Sequence, residues 1–571
     1  MQKADVKFIY SRYLALKQDR EEWADKWEET AKLFYPNGFR KSGKVGFDYK
    51  KLHTQSPDVL DSTSVQAANT LASGMYGAMT SPSRPWFTLR PQGFELDKNY
   101  DAKIFIDEVE NRMRVILLNS KFYNTMHEAY RQLGVFGTAC VYGTADMTGM
   151  RFDCLPCGTY VFDVDRNGRI DTVIRTLSMS VRQMQMEFGE ENLPERLRTA
   201  ERIKKNAGTE RYEVFHAVMP REDSIKNGMF GRMTVNPLER PFASVYFMPG
   251  ERGANGEPFV LKESGFDLFP YFPVRWDVVA GEVYGISPAM NSLPDAKMVQ
   301  SMNRSALKAA HLSVNPPLVV SAELQGKGIN CVPGGVTYIS SSCQGGQAIS
   351  SLYQVHPDYN GMLSMMDKYI GQIERSMFVD LFRMFSELDR RQITATEITA
   401  REQEKLVLIG HVLERLQDEL FNPLIEWLYF NMSKYNMLPE APESLQGRQV
   451  KVEYTSAMAQ AQKIAGTSSI EQFTAFLGNL AGVNPDVLDT VDFDEAVNKY
   501  AESLGVDTSL MRSDDEISRI RQQRQQQQEQ QQTQVEMANA ANMAQQLGNT
   551  PAGNPEQPTA LDAVIGGLGA M

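Results

Sequence analysis

The sequence predicts a predominantly helical α+β protein. Three observations carry that expectation. Apolar residues recur every three or four positions over several long segments; short β-branched and aromatic runs, punctuated by glycine, proline and asparagine, fill about 138–285; and a second, smaller, glycine-rich β segment near 315–357 lies between two helical stretches.

In order, Tyr13, Leu16, Trp23, Trp27, Ala31 and Phe34 share one face of a first helix that stops at Pro36-Asn37-Gly38. A second begins at Ser56-Pro57, a hydroxyl cap followed by a proline whose missing N–H costs nothing there. It carries Val65, Ala68, Ala72, Met75 and Met79 on one side and ends in Thr80-Ser-Pro-Ser-Arg-Pro-Trp-Phe87. A third helix runs from about Asp101 to Asn119. A fourth follows Lys121 until Gly134, and Phe136-Gly-Thr-Ala-Cys-Val-Tyr142 turns extended. The β block contains helix near 180–205.

Helical periodicity returns from Pro288 to about Leu312, and Asn315-Pro-Pro-Leu-Val-Val320 opens the small β segment. Helix resumes with Met362, Met366, Tyr369, Ile373 and Met377, which places the small β module at the far end of a helix pair. After a polar stretch, Thr394-Ala-Thr-Glu397 fits a capping box at the start of a long helix with Leu413, Leu416, Leu420, Leu424 and Trp427 along one face. Shorter helices from about 457 to 504 precede a tail in which ten of the 13 positions Gln522 to Gln534 are glutamine. Such a tail cannot bury a core and supports at best a frayed or self-associating helix. No repeat of 20 to 50 residues is evident.

At 571 residues the chain exceeds a single small module. Charged residues are 23%, hydrophobic residues 42% and mean hydropathy is -0.37, which excludes global disorder. With 59 Lys and Arg against 71 Asp and Glu, the net charge is -12 and the surface as a whole repels phosphate backbones. Five cysteines, an odd and small number, fit a reducing compartment rather than a disulfide framework. No run of about 18 apolar residues exists, and Lys3, Asp5 and Lys7 stand where an export signal would turn apolar, so no membrane partner is expected.

Three motif look-alikes lose to plainer readings. Gly38-Phe-Arg-Lys-Ser-Gly43-Lys44-Val45 lacks the final hydroxyl of a phosphate-binding loop and follows an amphipathic helix instead of a buried strand. Asp163-Val-Asp165-Arg-Asn167-Gly168 copies half a calcium loop, but Ile174 occupies the glutamate position, and an Asn-Gly hairpin turn between two strands fits better. Cys154-Leu-Pro-Cys157 has metal-ligand spacing without a second pair and reads as two buried thiols. The six histidines are dispersed and no nucleophile elbow is present, so no catalytic residue, metal or cofactor is expected.

The most informative charge pattern is on the 288–312 helix, where Lys297, Arg304, Lys308 and His311 share one face while Val299, Met302, Ala306 and Ala309 occupy another. It reads either as a solvated cationic face or as a surface that meets acidic residues of a neighbouring subunit or passing DNA phosphates.

Several blocks together resemble the head-to-tail connector, or portal, proteins of short-tailed, podovirus-type phages: Leu60-Asp-Ser-Thr63 with Leu71-Ala-Ser-Gly74 and Thr80 to Phe87; Asn119-Ser-Lys-Phe-Tyr123 with Phe136-Gly-Thr138; Tyr284-Gly-Ile-Ser-Pro-Ala289 with Leu293-Pro-Asp295; Asn315-Pro-Pro-Leu318; and Thr394 to Glu397 with Arg401, Glu404, Gly410, Glu419 and Pro423-Leu-Ile425. They follow the family's order over roughly residues 5 to 520.

The resemblance implies a portal fold with an α+β wing at 1–285, stem helices at 286–312 and 358–383, a small α/β clip at 313–357, and a tunnel loop at 384–393. It further implies a long wing helix and return segment at 394–454, a helical crown at 455–510 and a glutamine-rich tail at 511–571. It implies a homo-oligomeric ring, usually a dodecamer, through which double-stranded DNA is packaged and ejected at one capsid vertex. The implied partners are the terminase large subunit, the major capsid and scaffolding proteins, and a tail adaptor protein, with assembly in the host cytoplasm. Arg383, Arg390 and Arg391 then flank or lie in the tunnel loop, where they either touch DNA phosphates or pair with Glu387 and Asp389 between subunits. A ring of heterologous interfaces needs two complementary surfaces and no active site. The other readings are a non-enzymatic scaffold or adaptor and an enzyme with a site assembled from dispersed residues.

Overall fold

The computed structural model describes residues 5–36, 38–39, 59–91, 100–198, 210–221, 236–253, 256–320, 330, 349–351, 358–388, 409–440, 442, 450–455, 473, 476–478, 480, 491, 497 and 514–548. The chain divides into two units, Met1–Val491 and Asp492–Met571.

The first unit opens with α1 (Val6–Asp19) and α2 (Glu21–Phe34). The expected single helix is broken at Arg20, whose buried guanidinium donates to the Tyr160 carbonyl. The break lets one stripe serve two cores. Val6, Ile9 and Tyr13 pack on a β-sheet with Phe215 and Phe247, whereas Trp23, Trp27 and Phe34 enter the main core.

Helix α3 (Thr63–Met79) starts later than expected, because 59–62 are not helical; Asp61 Oδ1 accepts the Thr63 N–H at 2.9 Å. Ser56 and Pro57 lie outside the described residues. After β1 (Phe87–Pro91) come α4 (Tyr100–Asn119) and α5 (Phe122–Phe136). Helix α5 passes through Gly134, which presses on Leu71, and ends instead at Gly137 (φ +71). Only glycine relaxes at that φ, and a side chain there would also run into the Gly285 carbonyl.

The β block is two antiparallel sheets. Strands β2 (Thr138–Asp146), β3 (Gly149–Cys154) and β9 (Tyr271–Arg275) form one in the order β3-β2-β9. Strands β4 (Tyr160–Val164), β5 (Ile170–Met179), β6 (Tyr212–Pro220), β7 (Phe242–Arg252) and β8 (Pro258–Phe266) form the other in sequence order. The Asn167-Gly168 turn joins β4 to β5 as expected, with Asp165 Oδ1 accepting the N–H groups of Asn167 and Arg169, both at 2.8 Å. Helices α6 (Val181–Phe188), opened by a Ser180/Gln183 capping box, and α7 (Glu195–Arg198) bury Met184, Phe188 and Leu197 with Val214 and Met248 of the sheet.

Helices α8 (Pro288–Asn291) and α9 (Leu293–Val314) lead to β10 (Leu318–Val320), which pairs with β11 (Ile349–Ser351). Helix α10 (Tyr359–Ser376) packs back on α9, and α11 (Val379–Leu388) follows after a break at Met377-Phe378. Residues 409–416 are helical, Gln417–Phe421 form a π turn, and α12 (Asn422–Lys434) continues the helix. Leu413, Leu416, Leu420, Leu424 and Trp427 are all buried, as the stripe predicts. Strand β12 (Val450–Tyr454) returns to pair with β1. The capping box at 394–397 lies outside the described residues, as does most of 455–510. In the second unit, α13 (Asp514–Gly548) carries the glutamine run. No helix among the described residues is long and apolar enough to cross a membrane.

Candidate functional site

Of the residues singled out from sequence, Lys297, Arg304, Lys308 and His311 lie on α9 and Arg383 lies on α11. The root of α9 is fixed locally: Ser287 caps α8 by accepting the Met290 N–H at 2.9 Å, and its own hydroxyl donates to the Val135 carbonyl at 2.7 Å. Gln300 then clamps α9 to the segment before α3, accepting from Leu60 N at 2.7 Å and Asp61 N at 3.1 Å and donating to Asp61 O at 2.8 Å. Of α9, Ala296, Val299 and Gln300 are buried; of α10, Ile373 is. Toward β10 and β11 both helices become half-buried or exposed, with Leu307 at 49%, Leu363 at 56% and Met365 at 53%. The pair is anchored at one end and leaves apolar side chains uncovered along the rest.

Lys297, Arg304, Lys308 and His311 are exposed on α9. Lys297 forms an ion pair with Glu29, so the first member of the stripe is tied to α2. Arg383, in α11, is exposed and donates to Glu374 of α10 at 3.3 Å, bridging the break between the two helices. Helix α11 continues through Leu388, into the residues expected as tunnel loop, while Arg390, Arg391 and Asp389 lie outside the described residues.

The break itself is tightly held. Phe378 is left-handed (φ 54), its ring lies 5.9 Å from Trp276, and Ser376 donates to the Pro288 carbonyl at 3.1 Å. Met377, Val379, Leu381 and Phe382 are buried, and Phe382 fills the space left by the absent side chain of Gly74. Sequence reasoning missed Gln300, whose signal is a polar residue next to the buried Val299. It also missed the Gly74–Phe382 contact, which joins positions far apart in sequence and leaves no local pattern.

The other candidates resolve into structure. His216 is fully buried in the β block: Nδ1 accepts from Tyr271 Oη at 2.7 Å and Arg175 Nε at 3.3 Å, and Nε2 lies 3.0 Å from Ser244 Oγ. Burial, then the charges of Arg175 and Lys262, hold its pKa well below the usual histidine value. Arg175 Nε can only donate, so Nδ1 carries no proton and the ring is neutral. Burial pushes the thiols of Cys140, Cys154 and Cys157 up, away from reactivity. Among the described residues no three His, Cys, Asp or Glu side chains cluster to hold a metal.

A family profile described as bacteriophage head to tail connecting protein matches residues 7–511. The chain is 32% identical over 549 residues to the probable portal protein of Bordetella phage BPP-1, covering 96% of each chain. It is 31% identical over 573 aligned residues to the portal protein of Salmonella phage epsilon15, covering 100% of each. The chain therefore belongs to the phage head-to-tail connecting protein family. That bears out the resemblance carried by the sequence blocks: this is a structural protein of the portal type, a virion component at the head–tail junction.

Proposed function

We propose that twelve copies close into a ring at one capsid vertex, and that double-stranded DNA passes through its central tunnel during packaging and ejection. The observation that carries this is the α9–α10 pair. Helices of 22 and 18 residues leave Leu307, Leu363 and Met365 about half exposed in a single chain, as expected of surfaces that a neighbour covers in a heterologous ring. In this reading α9 and α10 are the stem, and 313–357 is the clip that engages the terminase large subunit and later a tail adaptor. The wing and crown meet the scaffolding and major capsid proteins. A separate ATPase drives packaging. The net charge of -12 suits a conduit, because many cationic contacts would hold DNA rather than let it slide.

Within the tunnel, Arg390 and Arg391 touch DNA phosphates weakly and repeatedly. Arg383 has a different role: its pairing with Glu374 in the same chain favours positioning of the loop over DNA contact.

Native mass spectrometry with negative-stain imaging tests the ring: a closed assembly of about a dozen 64.3 kDa subunits with a central hole is expected. A protein that stays monomeric even with scaffolding and capsid protein present would overturn it. Charge reversal at Arg390 and Arg391 tests the DNA contact. Normal packaging, retention and ejection in that variant would assign those arginines to intersubunit pairing with Glu387 and Asp389.

A further inference from the structure

We propose that Gly74 of α3 and Phe382 of α11 form a positioning notch that sets where the chain stands at Leu388, and hence where the DNA-facing loop begins. The inference rests on the reading of the residues after α11 as that loop.

Helix α11 has only ten residues, too few to hold a direction without tertiary support. Its direction comes from three constraints. Phe378 adopts a left-handed conformation that a bulky residue keeps only when its surroundings over-determine it. Glu374 and Arg383 bridge the break from one helix to the other. Phe382 seats directly on the backbone of α3 at Gly74, where an added methyl would overlap its Cβ and Cγ.

A glycine inside a helix weakens it relative to alanine, so Gly74 needs a reason. Gly77, three residues on in the same helix, meets nothing within 4 Å of an added Cβ. The two glycines are therefore a matched pair. One is a fitted contact and the other is open. Replacing either by alanine raises the intrinsic helix propensity of α3 equally, but only Gly74→Ala displaces Phe382.

The test uses the full chain with four variants: Gly74→Ala, Gly77→Ala, Phe382→Leu, and Gly74→Ala with Phe382→Leu. Three quantities are read: ring mass by native mass spectrometry, the rate of tryptic cleavage after Arg390 and Arg391, and DNA-filled heads in a phage lacking its own copy of the gene. Gly77→Ala matches the unaltered protein. Gly74→Ala forms rings of unaltered mass, but its cleavage rate changes by about fivefold or more and filled heads fall about tenfold. Phe382→Leu, which introduces no clash, shifts cleavage in the same direction. The double variant is altered by less than the two single effects add up to.

Cleavage and filling that are the same in Gly74→Ala and Gly77→Ala overturn the proposal. So does a Gly74→Ala protein that makes fewer rings while each ring is cleaved and filled normally, because the contact then serves folding alone. If Gly74→Ala does not fold, an unchanged cleavage rate in Phe382→Leu overturns it instead. If the unaltered protein forms no ring, the ring reading fails, and the cleavage comparison on the same samples still decides the notch.

Discussion

Glu419 holds Arg275 by both backbone and side chain. Its Oε2 accepts the Arg275 N–H at 2.9 Å, and its Oε1 accepts Nη2 at 2.6 Å and Nε at 3.1 Å. Arg275 Nη2 also donates to the Gly168 carbonyl at 3.1 Å, so one guanidinium ties β9 and the β4–β5 turn to the helix that ends in α12. Glu419 lies within the π turn Gln417–Phe421, where the widened turn shifts the side-chain register. Both side chains are largely buried, at 9% and 19% exposure. Removing one partner of such a pair leaves a buried charge uncompensated. Glu419→Ala should lower stability by about 3 kcal/mol in urea denaturation, and Glu419→Gln, which keeps an acceptor, by about half of that. A Glu419→Ala loss below about 1 kcal/mol would show that the pair is incidental.

The neutral His216 predicts a pH dependence. Its folded pKa is depressed, so below about pH 6.5 the unfolded chain binds a proton that the folded one refuses. This contribution is fully present above that value and is lost as pH falls toward the folded pKa, by at most about 1.4 kcal/mol per pH unit. Denaturation midpoints measured from pH 7.5 down to 5 should fall more steeply for the unaltered protein than for His216→Gln. Parallel curves would show that the ring does not titrate in this range.

Lys297 and Glu29 are each about half exposed, 48% and 51%, so their ion pair contributes little to folding. Lys297→Ala should change stability by less than about 1 kcal/mol. Any defect in DNA packaging by that variant then reports on charge rather than on the fold. A melting-point loss of many degrees would contradict the surface assignment.

Gly137 combines a left-handed backbone with close contact to Gly285, and its N–H and carbonyl bond to Leu133 O and Trp276 N, both at 2.9 Å. Gly137→Ala should cost about 3 kcal/mol, from backbone strain plus the displaced backbone at Gly285. Chemical denaturation beside Gly77→Ala, at an open helical site, measures the difference.

Helix α13 has Val535 at 59% and Met537 at 67% exposure, and the described positions of its Gln522–Gln534 run are all exposed. A peptide of Asp514–Gly548 should be less than about half helical at 25 °C when monomeric, since an exposed glutamine-rich run gives a helix little packing support. Circular dichroism over a dilution series checks this. High helicity independent of concentration would contradict it.

What the sequence made legible was periodic or local. The stripe from Leu413 to Trp427, the Asn167-Gly168 hairpin and the pairing of two long helices around a small β segment all follow from residue spacing, and all stand in the structure. The break at Arg20 was not legible, because both sides of it are helical in pattern and its cause is a carbonyl on Tyr160. Nor were the start of α3 at Thr63, the π turn, or the Gln300 clamp, each set by partners distant in sequence. The cationic stripe was legible as a stripe, but the partner of Lys297 lies 268 positions away on α2. Of the candidate site, Lys297, Arg304, Lys308, His311 and Arg383 fall on the described helices, whereas Arg390 and Arg391 do not.

Strand β1, at residues 87–91, pairs with β12, at 450–454, about 360 residues later. A ribosome adding about 5–20 residues per second takes roughly 20–70 s to deliver the second strand after the first. Until then Phe87 and Leu89, both buried in the finished protein, lack their cross-strand neighbours Tyr454 and Val452. Nascent chains on one crowded messenger therefore carry the same unsatisfied edge side by side. If the copies close into the proposed ring, that delay is the interval in which premature association must be held off.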